Sequence, residues 1–427
     1  MLRSVLALVS VVFSFTPAFA DNWPQWRGPK NDGHSAETGL VSEWGPDKNI
    51  VWELKLPGSG SSTPCIWGDR MFFTCMDGGD VLLMSVGTDG KEKWRKVLGG
   101  GNIRTMGDEG GNLATASCST DGKLVYVLAG SGKLAAFDFE GKEIWSMDLA
   151  EKYGDFTKGN VIQFGGHWTP VLHKDRLYVA VMHRQAQKLI ALTAATGKEL
   201  WSVDRKSDSP PRVESPDVYC SPFVWEKGDK SLIIVHGNDY CTAHDPADGH
   251  EVWRVTELNP KANYNRTWRA VSSPLVTPDM IVVPSCKGGV TVAVNPATAS
   301  GDLTPGSTGE FWRLPRGTPD VPSPLLVNDL VYLMGERGQL SALDAKTGQK
   351  LYDERVTNMR HRANPVYADG KIYLAGREGT FIVAKPGRTY ERIAENKLPD
   401  TFTASPAIAD GRIYLRGWKA LYAIGTK

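Results

Sequence analysis

The sequence predicts an all-β fold, an eight-bladed β-propeller of four-stranded antiparallel blades. Three observations predict it: a phrase repeated from end to end, a repeat length of 41 to 53 residues, and two terminal fragments that complete each other. The phrase starts on a Ser/Thr-x-Pro-like step, passes through three short apolar runs separated by Gly/Asp turns, and closes on Thr-Gly-Lys-x-x-Trp. Its closing words recur as AAFDFEGKEIW ending at Trp145, IALTAATGKELW at Trp201, TAHDPADGHEVW at Trp253 and SALDAKTGQKLY at Tyr352. Self-similarity at such periods marks solenoids, propellers or arrays.

Residues 1–20 read as a secretory signal. Met1-Leu2-Arg3 gives a positive start, Val5 to Phe15 an apolar stretch, and Ala18-Phe19-Ala20 a small-x-small cleavage site. The stretch is too short to span a bilayer, and no later segment is long enough. No Cys stands at the cleavage point, so a lipid anchor is not expected. The predicted location is periplasmic or secreted. Residues 21–46 form an N-terminal extension outside the repeat, and 47–427 the propeller. Within the extension, Trp23 and Trp26 would be an adhesive patch if exposed. They are expected instead to pack under the propeller and pin its closure.

The units align on Pro64, Ser117, Pro170, Pro222, Pro274, Pro324, Pro365 and Pro406, in steps of 53, 53, 52, 52, 50, 41 and 41 residues. Runs such as DRLYVAV, DLVYLMG and GKIYLAG are rich in the β-branched and aromatic residues that suit pleated surfaces. The last unit, FTASPAIADGRIYLRGWKALYAIGTK, has three strand-like runs and stops short of its closing phrase. NIVWELKL around Trp52 is a closing strand with no unit before it. The N-terminal strand is therefore predicted to become the outer strand of the C-terminal blade.

Trp52, Trp94, Trp145, Trp201, Trp253 and Trp312 end successive units, with Tyr352 in the same place once. Each buried Trp removes roughly 150–250 Å² from water, ~4–6 kcal/mol gross at about 25 cal/mol/Å². They are assigned to blade docking. The seventh unit, AKPGRTYERIAENKL, offers no Trp and is predicted to be the weakest joint.

Without Arg3 the chain carries 48 Lys+Arg against 48 Asp+Glu, one basic residue fewer than the full count of 49. That balance leaves no electrostatic footprint for nucleic acid. The six cysteines (65, 75, 118, 220, 241, 286) include no CxxC and no adjacent pair. The Gly68-Asp69 turn sets Cys65 opposite Phe72 and sends Cys65 and Cys75 to opposite faces. Buried free thiols are expected.

The pattern Ala-x-Asp-x-x-Thr-Gly-Lys-x-x-Trp, seen from Leu134 to Trp145, Ile190 to Trp201 and Ser341 to Tyr352, resembles the pyrroloquinoline-quinone-repeat (PQQ-like) family of β-propellers. That family spans quinoprotein alcohol dehydrogenases and BamB-like non-enzymatic scaffolds. The resemblance covers essentially the whole mature chain and is specific for fold rather than function. Its quinoproteins hold PQQ between a Trp floor and vicinal cysteines, with Ca²⁺ on Glu, Asn and Asp. This sequence has no vicinal cysteines and no recognisable calcium spacing, so no cofactor and no metal are expected.

Loops joining one blade's outer strand to the next blade's inner strand are long early in the chain (99–115, 150–166, 204–218, 256–271) and short later. They should raise one side of a funnel around the central channel, and long loops on rigid scaffolds are where function concentrates. The candidate funnel residues are Arg104, Asp108, His167, Trp168, Asp217, Tyr219, Arg266, Trp268, Arg269, Arg360, His361 and Arg362. Arg, aromatic and carboxylate groups together suit an anionic, sugar-like or peptide ligand, or pair with one another to plug the channel. No residue is assigned a catalytic role. The predicted function is an exported binding or scaffolding module with a protein partner of the cell envelope or a saccharide-like ligand. The alternatives are a PQQ-dependent oxidoreductase with a reduced site and a polysaccharide-binding propeller.

Overall fold

The computed structural model describes residues 22–100, 111–155 and 165–426. The predicted leader peptide, Arg104 and Asp108 lie outside the described residues. Eight sheets follow one another around the chain, seven of four strands and one of five. Blade 1, for example, comprises Cys65–Trp67, Arg70–Asp77, Asp80–Gly87 and Glu92–Gly100, each antiparallel to the next. In every blade the middle strands are buried on both faces, as in Arg176–His183 and Leu330–Met334. Both faces are covered because the core is a set of layers between blades. Cys65, Phe72 and Leu83 of blade 1 share one such layer with Val125 and Val127 of blade 2.

Ring closure follows the sequence expectation. Ile50–Lys55 pairs antiparallel with Ala420–Ile424, outside Arg412–Arg416 and Ala407–Ala409, so the last blade takes its outer strand from the start of the chain. Gly425 N–H donates to Asn49 O at 3.0 Å beside this seam. One blade departs from the pattern. The strand Gly301–Leu303, an excursion from the fifth blade, lies parallel against Glu251–Val255 and gives blade 4 a fifth strand.

The docking residues explain the closing phrase. Trp145 donates its indole N–H to Ala194 O of the next blade at 2.8 Å, and Trp312 donates to Ala345 O at 2.7 Å. Trp52, Trp94 and Trp201 make the same bond to Thr88, Phe139 and Pro246. The ring then covers the glycine of the neighbour's Thr-Gly-Lys turn. Gly197 has φ 69°, and a Cβ there would stand 2.6 Å from the Trp145 ring. Only glycine tolerates both the turn and the approach. Trp253 is buried but lacks this bond, because its neighbour's turn is replaced by the excursion through Gly301–Leu303; its indole nitrogen has no partner. Tyr352 faces Tyr390 at 6.3 Å between ring centroids.

The seventh unit's missing Trp is replaced from elsewhere. Ala394 pairs with Val383, the register that Tyr352 occupies opposite Ala342. Trp44 of the extension packs there instead, 6.3 Å from the Tyr373 ring and 5.6 Å from Phe381, with its backbone N–H on Asn396 Oδ1. The seventh unit offers no Trp of its own, and this joint takes its aromatic wedge from outside the repeat.

All six cysteines are free and buried. Cys65 stands opposite Phe72, and Cys65 and Cys75 belong to different core layers, as the strand alternation requires. No helix among the described residues is long and apolar enough to cross a membrane.

Candidate functional site: the central funnel

Over the four residues before the proline that opens each inner strand, extended backbone sends odd positions to the channel and even positions into the blades; Asp217, five residues before Pro222, falls outside that stretch and is buried. The residues one step before it form a hydrogen-bonded belt. Thr63 N–H donates to Ser117 Oγ (2.9 Å), Ser117 N–H to Thr169 Oγ1 (3.2 Å) and Thr169 N–H to Ser221 Oγ (2.9 Å). Ser273 N–H donates to Ser323 Oγ (3.0 Å), Ser323 N–H to Asn364 Oδ1 (2.7 Å) and Asn364 N–H to Ser405 Oγ (3.0 Å). Ser405 N–H closes the circle on Thr63 Oγ1 at 3.1 Å. The belt equates Ser117 with Thr63, so Cys118, not Ser117, holds the place of Pro64 in the second unit. Its one gap among the described residues lies between Ser221 and Ser273, whose hydroxyl has no partner.

Two steps higher stands a second ring: Ser61, Thr115, His167, Tyr219, Val271, Val321, Arg362 and Thr403, with Arg269 above it. These rings surround a cavity of about 160 Å³ in a funnel enclosing about 970 Å³ of atom-free space, open mouth included. Trp26 lines its lower end, 6.2 Å from the Phe223 ring. The extension seals the channel beneath. Trp23 bridges Ile66, Pro24 O accepts from Thr120 N–H, and Arg27 donates to Pro324 O at 2.7 Å. His34 then meets Leu326 O, and Ser35 Oγ donates to Ile408 O. Burial lowers the Arg27 guanidinium to about 10, opposed by Asp32.

On one side the rim is a built wall. Glu214 N–H donates to Arg266 O and Tyr219 N–H to Ala270 O, so the loops before blades 4 and 5 are zipped together. Within it, Glu214 Oε2 lies 3.1 Å from Arg269 and 3.6 Å from Lys287; farther round the ring, before blade 7, Glu336 Oε1 lies 3.1 Å from both Arg360 and Arg362. Each glutamate is thus shared by two cations. Arg269 also stands 6.0 Å over the Tyr219 ring, which is 5.1 Å from His167. Burial raises the Asp217 and Asp320 carboxyls above their usual range, an effect that nearby arginines oppose.

The structure brings His167, Tyr219, Arg269 and Arg362 to the cavity. It places other candidates elsewhere. Trp168 is an even position, buried in the layer between blades 2 and 3, with its indole N–H on Val218 O at 2.7 Å. His361 is likewise even and fully buried, its ring nitrogens without partners. Asp217 is buried against Arg184 at 2.7 Å, behind the lining. Arg266 is on the outer rim, tied to Pro211 O at 2.7 Å, and Arg360, before blade 7, is a rim cation on Glu336. Trp268 lines a separate crevice with His236 and Cys286. Trp26 and the hydroxyl residues Ser61, Thr115 and Thr403 were not among the candidates, although their odd spacing from the aligned prolines was the available signal for the latter three.

Among the described residues the ion pairs lie beside the cavity that the two rings line. Among the described residues no three His, Cys, Asp or Glu converge on a metal position. Burial raises the Cys220, Cys241 and Cys286 thiols and keeps them protonated.

A family model described as outer membrane protein assembly factor BamB matches residues 34–163, 135–302 and 228–426. BamB of Moranella endobia is 27% identical over 270 residues, 62% of this chain and 63% of that protein. BamB of Yersinia pestis is 25% identical over 303 residues, 68% of this chain and 67% of that protein. The match therefore spans just under two thirds of the first relative's length. Among solved structures, BamB of Moraxella catarrhalis has a TM-score of 0.64 at 14% identity, covering 88% of this chain and 99% of that one. Quinohemoprotein alcohol dehydrogenase of Comamonas testosteroni has a TM-score of 0.68 at 14% identity, covering 95% and 81%. A europium-containing methanol dehydrogenase reaches 0.67 at 12%, covering 94% and 90%. At such identities these structures speak for the fold alone.

Proposed function

This chain belongs to the PQQ-repeat propeller family described as outer membrane protein assembly factor BamB, and on that premise we propose that it is a binding or scaffolding module of the cell envelope that holds a protein partner on its funnel-bearing face. The observation that carries this reading is the zipped wall over blades 3 to 5. It is a rim in which Glu214 and Tyr219 are bonded to the backbone of Arg266 and Ala270, beside the funnel cavity, on a scaffold whose later loops are short. A rigid asymmetric rim lowers the entropy lost on docking a partner. The curated relatives' role in assembly is a property of those proteins. The shared family and the leader-like start of the sequence support a similar location.

The test is capture from envelope extract by the immobilised protein, wild type against Arg266→Glu and Arg360→Glu, with bound proteins quantified after crosslinking. Rim substitutions at the centre of an interface are expected to lower capture of a specific partner by roughly tenfold or more, ~1.4 kcal/mol. An unchanged partner profile in both variants moves the interaction off this face.

A further inference from the structure

We infer that Cys65 and Cys118 form a disulfide that staples blade 1 to blade 2 when the chain folds under oxidising conditions. The inference uses the exported location expected from the leader and is independent of any partner on the funnel face. The oxidant it needs is a second disulfide, small or protein-borne.

The repeat sets these two residues against each other. Seven of the eight units open on proline, and the second opens on Cys118 instead. Cys65 follows the opening proline of the first unit, one 53-residue repeat back. At the next seam round the ring, the residue in the place of Cys65 is Ser119, and its Oγ donates to the backbone oxygen of the opener Pro170. A side chain at this place therefore reaches the neighbouring opener, and for blade 1 that opener is Cys118. The belt bond from Thr63 N–H to Ser117 Oγ, 2.9 Å long, fixes the register of the two inner strands just ahead of the pair. Cα atoms of Cys65–Trp67 and Ser119–Thr120 come within 8 Å of each other. Both thiols are fully buried in one core layer, with Phe72 and Val125. Burial raises the Cys65 thiol, and the Cys118 thiol beside it raises it further. The other cysteines are arranged differently. Cys75, Cys220 and Cys241 lie in three separate layers, and the first two give their S–H groups to Gly58 O and Ser272 O.

The bond forms by exchange. One cysteine thiolate attacks the oxidant's disulfide and expels one of its sulfurs; the other then attacks the mixed disulfide and expels the second. Two S–H bonds are lost and one S–S bond is made, and the two electrons and two protons leave with the oxidant as two thiols. The thiolate is the reactive form, and a closed apolar layer keeps Cys65 protonated. Exchange therefore belongs to folding, before blades 1 and 2 have packed. A chain that folds reduced keeps both residues as thiols, the state the structure shows. The bond would close a whole repeat into a loop and so restrict the unfolded chain. It would also secure one seam while Ile50–Lys55 still awaits Ala420–Ile424.

The experiment refolds the reduced chain, from residue 21 onward, out of urea in a buffer of reduced and oxidised glutathione. The product is unfolded without reductant, alkylated and digested for mass spectrometry. Of the six cysteines, Cys75, Cys220, Cys241 and Cys286 are expected to be alkylated, and one linked peptide pair to join Cys65 to Cys118. This form is expected to melt several degrees above the same chain refolded in excess reductant. Cys65→Ser and Cys118→Pro install the residues that other units use at these places, so each is expected to fold while losing both the linked peptide and the difference in melting. Alkylation of all six cysteines in the wild type, or a bond from Cys65 to any other residue, overturns the inference. The same digest of protein purified from an oxidising periplasm decides the matter if refolding from urea fails.

Discussion

His236, His244 and His361 are buried in blades 4 and 7 and share one consequence. Burial pushes each imidazole down to about 4, and the Arg205 charge adds to this at His236 and His244. A histidine whose folded value lies below its unfolded value of about 6.5 stabilises the fold above that pH, and this stability is lost as pH falls toward 4. The slope approaches ~1.4 kcal/mol per pH unit for each such group. Asp217 and Asp320 act with the opposite sign, because their raised values favour the protonated fold at the acid end. The urea midpoint is expected to fall between pH 6.5 and 4, and less steeply in His361→Phe. A flat profile across that window would contradict the buried neutral state. The same residue shows why the site was only partly legible. The residue types of the funnel were readable, but their direction depends on parity against the inner strand. Parity separates Arg362 from His361 and His167 from Trp168.

Among elements, the unit of cohesion is a Trp from one blade seated on the turn of the next. Trp312 and Trp253 are both buried, but only Trp312 has an acceptor for its indole N–H. Shortening either ring to Phe leaves a cavity. Trp312→Phe also strands the Ala345 carbonyl, at a net cost of about 1 kcal/mol. Chemical denaturation is thus expected to show Trp312→Phe as the more damaging by about that amount. Equal losses would mean that the bond adds nothing. These joints were legible because Thr-Gly-Lys-x-x-Trp records both the covered glycine of one joint and the wedge of the following one. Trp44 was not. It stands outside the repeat and fills a slot hundreds of residues away, at Ala394, where the sequence pattern shows only a gap.

For the whole molecule, the extension and the strand Ile50–Lys55 together touch blades 1, 2, 4, 6, 7 and 8. A chain starting at residue 47 keeps the closing strand but loses Trp23, Trp26, Arg27 and Trp44. It is expected to remain folded at low temperature and to unfold well below the longer chain in calorimetry, since burying one such aromatic accounts for several kcal/mol. A melting temperature unchanged from that of the chain starting at residue 22 would show the extension to be decoration. Between blades 4 and 5 the belt gap and the partnerless Trp253 coincide with the parallel strand Gly301–Leu303, so an added strand spans the seam where two other contacts are missing.

The pairing of Ile50–Lys55 with Ala420–Ile424 has a consequence for the order of synthesis. The first strand to emerge waits for one made long after it, so no prefix of the chain can reach the finished state. Such distant partners fold slowly, and until they meet both keep raw edges open to other chains. A ribosome that stalls early therefore releases a product with exposed edges at both ends, one that quality-control proteases can tell from the completed ring.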